Sequence, residues 1–217
     1  MSIGTLIYFG CDGLGVIAAI FYSLYALPRY GVSRTRGLVL MLCVYAATYA
    51  WMLALYWICT GFMGGQNYIR SFVFAPAIIL LFAALLDVDW RIGFDLAAPI
   101  MCISMFTGKL GCMYAGCCAS WIPGFPQQLL EGATALFIAA WLIWRIDKNG
   151  YKADGTSMWW MLLFFGLTRF CWEFLRDNDK LFCGISELAL WALAAAALGG
   201  IALLVIKLRK SYKADAR

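Results

Sequence analysis

The chain of 217 residues is 64% hydrophobic and only 13% charged, against roughly 45–50% apolar and about 25% charged in an ordinary soluble domain. That much apolar surface cannot be hidden in a water-soluble fold, the 17% aromatic content excludes disorder, and no repeat supports a collagen or coiled-coil chain. The net charge of +5 sits in short basic patches between apolar runs, which reads as membrane topology rather than as a nucleic-acid face, so an all-α polytopic membrane bundle with no nucleic-acid partner is expected, one integral membrane domain over residues 1–217.

A spanning helix takes roughly 20 apolar residues, and seven segments qualify in chain order: Thr5–Leu27, Gly37–Phe62, Phe72–Leu86, Ile92–Cys118, Gln127–Trp144, Ser157–Phe174 and Ile185–Ile206. The third is short and interrupted by Pro76. The first has no basic residue before it and runs past signal-peptide length, so it reads as a span. Arg29, Arg34 and Arg36 follow the first span, Arg91 the third, Arg145, Lys148 and Lys152 the fifth, and Lys207, Arg209, Lys210, Lys213 and Arg217 the last; the other side has only Arg70, Arg176 and Lys180. This asymmetry fits an odd number of spans with the N-terminus outside and the C-terminus in the cytoplasm. The connections are short, so function is expected inside the bundle, and the lack of an internal repeat argues against an inverted-repeat transporter.

Ionisable side chains at membrane depth are costly enough to be functional candidates. They are Asp12, Lys109, Glu131, Arg169, Glu173 and Glu187. Asp95 and Arg145 lie near cytoplasmic span ends and are expected as interfacial anchors. No histidine occurs, which removes imidazole bases and most zinc and haem sites. The nine cysteines lie mostly in apolar runs, where a free thiol behaves as a small hydrophobe. Neither a metal nor a cofactor is expected.

Three clusters stand out. Arg169 and Glu173, four apart, share one face of the sixth span; they can neutralise each other, or present a guanidinium suited to phosphate. Lys109 lies among Gly108, Gly111 and Gly116 and shares a face with Cys112; the glycines alone would suit close helix packing, but a packing seam needs no ammonium. Gln128 and Glu131 share a face in the opening turn of the fifth span, behind Pro126, where Glu also favours the helix dipole. All three clusters map to the outer half of the membrane.

In this order, these clusters resemble those of the bacterial prolipoprotein diacylglyceryl transferase family. Gly108-Lys-Leu-Gly-Cys-Met113 is similar to the family's Gly-Arg-hydrophobic-Gly-Asn-Phe, and Phe125-Pro-Gln-Gln-Leu-Leu-Glu131 to its His-Pro-Ser-Gln-Leu-Tyr-Glu. Arg169-Phe-Cys-Trp-Glu-Phe-Leu-Arg176 matches the late Arg-Phe-x-x-Glu-Phe-x-Arg, Asp95-Leu-Ala-Ala-Pro99 the Asp-x-x-Ala-Pro before the fourth span, and Tyr8-Phe-Gly10 is weakly like Trp-Tyr-Gly. The resemblance extends from Asp95 to Asp179. Several positions depart from it: Lys109 stands for an Arg, Cys112 for an Asn, Cys117 for a Glu and Ser120 for a Gly, and only Gly64-Gly65 echoes the family's His-Gly-Gly.

The resemblance implies transfer of diacylglyceryl from phosphatidylglycerol to the lipobox cysteine of a prolipoprotein at a bacterial plasma membrane, releasing glycerol phosphate. It implies Arg169 and Lys109 as phosphate contacts, with Glu131 and Glu173 as the candidate proton acceptors; burial favours Glu131 as the base, because the neighbouring Arg169 favours the charged carboxylate of Glu173. Glu173 is then the orienter of Arg169, with Gln128, Cys112, Gly108, Gly111, Gly116, Tyr8 and Arg176 around the substrate. The same residues leave room for a related transferase with another acceptor, for a thiol-redox protein on Cys112, Cys117 and Cys118, and for a small transporter.

Overall fold

The structure is a computed structural model describing residues 3–61, 68–118, 120–176 and 185–215. Phe62, Gly64, Gly65, Asp179, Lys180 and Arg217 lie outside the described residues. Seven helices follow one another: α1 (Ile3–Ala26), α2 (Arg34–Thr60), α3 (Tyr68–Leu85), α4 (Trp90–Ala115), α5 (Gln127–Lys148), α6 (Ser157–Glu173) and α7 (Glu187–Asp215). Six are long and apolar enough to cross a membrane; α6, with 17 residues, sits at the lower limit of about 17–25. An isolated antiparallel bridge joins Ser120 to Arg176.

Local chemistry sets the ends. Ser33 caps α2, its hydroxyl accepting from the Arg36 N–H at 3.4 Å, and Asp89 caps α4 by accepting from the Arg91 N–H at 2.9 Å. The expected fourth span overshoots, because Gly116 takes a left-handed φ of 70° that stops α4 at Ala115. Pro76 lies inside α3, which begins at Tyr68 rather than Phe72; packed neighbours make such a proline tolerable in a membrane helix.

Helix α4 is the axis of the bundle, buried at most positions from Ile92 to Cys112. Helix α1 and helix α5 pack along it, and α6 packs along α7. The α6–α7 seam depends on missing side chains: a Cβ at Gly166 would come within 2.6 Å of the Ala192 carbonyl oxygen, and one at Gly199 within 2.5 Å of the Trp159 carbonyl oxygen. Backbones this close gain dispersion contacts that lipid cannot supply.

The two positions expected as anchors make specific contacts. Asp95 is 2% exposed and accepts from the Ser157 N–H at 3.4 Å, so it ties α4 to the start of α6. Arg145 folds back onto the α5–α6 connection, reaching Asp154 at 2.9 Å and the Thr156 hydroxyl at 2.6 Å. Burial pushes the Asp154 carboxyl up, but the Thr156 N–H and hydroxyl and the Arg145 guanidinium outweigh it and hold Asp154 below the usual carboxylate range.

Candidate functional site

The C-terminal ends of α4 and α6 and the N-terminal ends of α1, α3, α5 and α7 converge at one end of the bundle. Here Lys109, Glu131, Arg169, Glu173 and Arg176, all buried, form one network. Arg169 reaches forward and back, from Nη1 to Glu131 Oε1 at 2.8 Å and from Nη2 to Glu173 Oε2 at 2.9 Å. Lys109 pairs with the other Glu131 oxygen, Oε2. Arg176 Nε lies 3.3 Å from Glu131 Oε1, and the Ser186 hydroxyl donates to Glu173 Oε1 at 2.9 Å. Three cations against two carboxylates leave one positive charge in excess, and such a buried set is stable only while each member is compensated.

Arg176 reaches this centre because the chain beyond α6 is stitched to the α4–α5 connection. The Ser120 hydroxyl donates to the Leu175 carbonyl at 2.8 Å, the Trp121 N–H to the same carbonyl at 3.3 Å, and the Trp121 indole to the Phe174 carbonyl at 3.2 Å. Arg176, counted among the outer-side basic residues and by resemblance placed around the substrate, is therefore drawn inside. Arg70 is too: it is 5% exposed and pairs with Glu187 at 2.7 Å, tying α3 to α7.

Next to the network is a cavity of about 190 Å³ whose lining includes Tyr8, Tyr68, Lys109, Cys112, Cys118, Arg169 and Arg176. The three cations stand on its wall, whereas Glu131 and Glu173 do not contribute to the lining. Tyr68 also lines an apolar pocket running between α2, α3 and α4, and its hydroxyl donates to Asp12 at 3.1 Å. A cationic cavity opening beside apolar gaps is chemically suited to an anionic amphiphile.

The family model for prolipoprotein diacylglyceryl transferase matches residues 11–206. The chain belongs to the prolipoprotein diacylglyceryl transferase family. Among curated relatives, phosphatidylglycerol–prolipoprotein diacylglyceryl transferase 2 of Clostridium perfringens is 25% identical over 138 residues, 55% of this chain and 53% of that protein. The phosphatidylglycerol–prolipoprotein diacylglyceryl transferases of Bordetella avium and Methylobacillus flagellatus are 27% and 28% identical over 170 residues, 69% and 68% of this chain and 64% and 63% of theirs. The chain thus spans between half and two thirds of the length of these relatives.

Within this transferase-family scaffold, Lys109, Glu131, Arg169, Glu173 and Arg176 come together, and Tyr8, Cys112 and Gly108 join them at the cavity wall. Gly111 has a packing role, since a Cβ there would come within 2.9 Å of the Tyr8 ring. Gly116 ends α4. Gln128 is displaced from the expected position: it is half-buried and its amide donates to the Cys117 carbonyl at 2.9 Å. Its neighbour Gln127 is fully buried and donates to Glu131 Oε1 at 3.0 Å and to the Trp172 carbonyl at 2.9 Å.

Gln127 could have been found, because it is four residues before Glu131 and so shares its helix face. Tyr68 and Ser186 carry no local signal. At the α4 terminus the Cys112, Cys117 and Cys118 sulfurs lie within 4.8 Å of one another. Hydrogen bonds from Cys112 and Cys117, with Lys109 and Arg176 nearby, hold the Cys118 thiol below its ordinary range despite its burial.

Proposed function

We propose that the protein transfers the diacylglyceryl group of phosphatidylglycerol to the thiol of a lipobox cysteine in a prolipoprotein, releasing glycerol phosphate. The observation that carries this reading is the cavity with Lys109, Arg169 and Arg176 on its wall and two carboxylates behind them. Breaking the glyceryl carbon–oxygen bond leaves its electron pair on the phosphate, and pre-placed cations in a water-poor site stabilise that charge without reorganising. Arg169 orients the phosphate and Lys109 and Arg176 supply charge. Glu131, contacted by all three cations, acts as their counter-ion and positioning residue rather than as the base, and Glu173 orients Arg169.

The lipid's apolar part finds room in the pocket between α2, α3 and α4, which meets the polar cavity at Tyr68. The protein sits in a bacterial plasma membrane with its N-terminus and this site on the outer side. Two of the three basic residues on that side, Arg70 and Arg176, are buried, which makes the exposed bias toward the cytoplasmic side stronger.

The test incubates the protein in nanodiscs with phosphatidylglycerol labelled in its diacylglyceryl part and a lipobox peptide. Thioether-linked label on the peptide, lost in Arg169→Ala, is the expected result. An unlabelled peptide with phosphatidylglycerol still consumed would assign another acceptor. No consumption of phosphatidylglycerol by the wild type would overturn the transferase reading.

A further inference from the structure

The proposed reaction needs a thiolate, and among the described residues the cavity wall carries no carboxylate. The chain has no histidine, and Glu131 and Glu173 are held in ion pairs behind the cavity wall. What the site does hold is sulfur. The left-handed turn at Gly116, with φ 70°, and the positive φ of 60° at Cys118 bend the chain back over the end of α4. The Cys117 N–H then donates to the Cys112 carbonyl at 3.2 Å, and the sulfurs of Cys112, Cys117 and Cys118 gather within 4.8 Å of one another.

We propose that Cys112, Cys117 and Cys118 bind one zinc ion whose fourth coordination position receives the acceptor cysteine thiol; the catalytic part of this inference rests on the transferase reading above. A tetrahedral zinc with sulfurs at about 2.3 Å sets them about 3.8 Å apart, so side-chain adjustments close the cluster. Three protein ligands with one open position is the arrangement of a reactive rather than a structural zinc site. Cys112 and Cys118 line the same cavity as Lys109, Arg169 and Arg176, which puts the fourth position beside the phosphate contacts. Charge agrees as well: zinc with three thiolates carries one negative charge, and the ion-pair network has one positive charge in excess. The expected absence of a metal rested on the missing histidine, which a thiolate site does not need.

The acceptor S–H binds zinc as a thiolate and its proton passes to water at the mouth, where Cys117 is exposed. The zinc-bound sulfur attacks the glyceryl carbon that carries the phosphate. A carbon–sulfur bond forms as the carbon–oxygen bond breaks, and the electron pair leaves on the phosphate oxygen facing Arg169 and Lys109. The neutral thioether is a poor ligand and gives way to the next thiol, leaving the zinc unchanged.

The experiment uses the full chain in nanodiscs, purified under reducing conditions, with Zn²⁺ and Co²⁺ as probes. One zinc per chain and a sulfur-to-cobalt charge-transfer band are expected, both abolished in a Cys112→Ser, Cys117→Ser, Cys118→Ser triple variant and both kept in Cys171→Ser. Chelation should lower transfer by at least about a hundredfold, the upper end of what disturbing a metal's outer partners alone costs, and added zinc should restore it. Failure of the reduced wild type to bind either ion, or a disulfide among the three cysteines in place of the metal, overturns the proposal. Full transfer by the chelated protein overturns the catalytic role. Cobalt bound through the three sulfurs with no lipid transfer in any preparation means that the transferase reading has failed while the metal site stands.

Discussion

Arg169 and Glu131 meet at 2.8 Å through an oxygen, Glu131 Oε1, that also lies within 3.3 Å of Arg176. One carboxylate thus compensates two guanidiniums, and through Oε2 an ammonium, all of them buried. Glu131→Gln keeps the shape and removes the charge, leaving three buried cations facing Glu173 alone. Breaking a buried ion-pair set in this way costs about 3–5 kcal/mol, so the variant is expected to unfold well below the wild type in a thermal scan, before activity is considered. An unchanged melting temperature with abolished transfer would instead mark Glu131 as a proton acceptor.

Arg169 serves two carboxylates with two different nitrogens, Nη1 and Nη2. Lysine has one nitrogen and no planar fork, so Arg169→Lys cannot hold both Glu131 and Glu173 while also facing the cavity. Transfer is expected to fall about a hundredfold to a thousandfold, the usual cost of losing one charge-stabilising donor. The fall should appear in kcat/KM measured with phosphatidylglycerol in nanodiscs. Lys109→Arg is expected to stay within about tenfold of the wild type, since a point charge at Glu131 Oε2 is replaced by another cation.

Gln127 and Gln128 make a controlled pair. Gln127 is fully buried and bonded to both Glu131 and Trp172, so Gln127→Ala leaves Glu131 short of a donor and the Trp172 carbonyl without its amide partner; the expected loss of stability is about 1–3 kcal/mol. Among the described residues Gln128 bonds only the Cys117 carbonyl, and it is half-buried, so Gln128→Ala should stay within about 0.5 kcal/mol of the wild type. Thermal unfolding of the two variants side by side decides the register of α5; equal effects would contradict it.

These glutamines also show what the sequence could and could not convey. The apolar runs located all seven helices, and the spacing from Arg169 to Glu173 put both on one face, because helical period is a local property. Choosing between Gln127 and Gln128 depends on which way α5 turns toward α4 and α6, which is set by packing. Arg70 and Arg176 flank apolar segments, and by position alone they count only as topology charges; their burial depends on Glu187 and Glu131, 117 and 45 residues away in the chain respectively. Tyr68 and Ser186 meet the site from helix ends whose direction no short pattern announces.

The approach of α1 to α4 rests on Gly111. A Cβ there would come within 2.9 Å of the Tyr8 ring and 3.1 Å of the Tyr8 Cα, and backbone, unlike a side-chain tip, cannot swing aside. Gly111→Ala is expected to push α1 away from α4, costing about 1–3 kcal/mol and opening the Tyr8 side of the cavity. Raised KM for phosphatidylglycerol together with a lowered melting temperature is the expected pattern; a lowered melting temperature with unchanged KM would confine Tyr8 to packing.

The far end of the bundle offers a test that is independent of the reaction. Asp154 is bonded by the Thr156 N–H and hydroxyl at 2.8 Å each and by Arg145 at 2.9 Å, and these contacts hold it below the usual carboxylate range against the push of its burial. A carboxylate whose folded pKa is depressed contributes stability above its unfolded pKa of about 3.9 and loses that contribution as pH falls through the lower, folded value. The wild type should therefore lose stability on acidification below about pH 4 partly through this group. Asp154→Asn removes the contribution at every pH, so its melting temperature should lie below the wild type's at pH 7 and converge toward it as the pH is lowered. Melting temperatures recorded across that range check the sign: a gap that widens toward acid would mean that the bonds to Asp154 favour its protonated form.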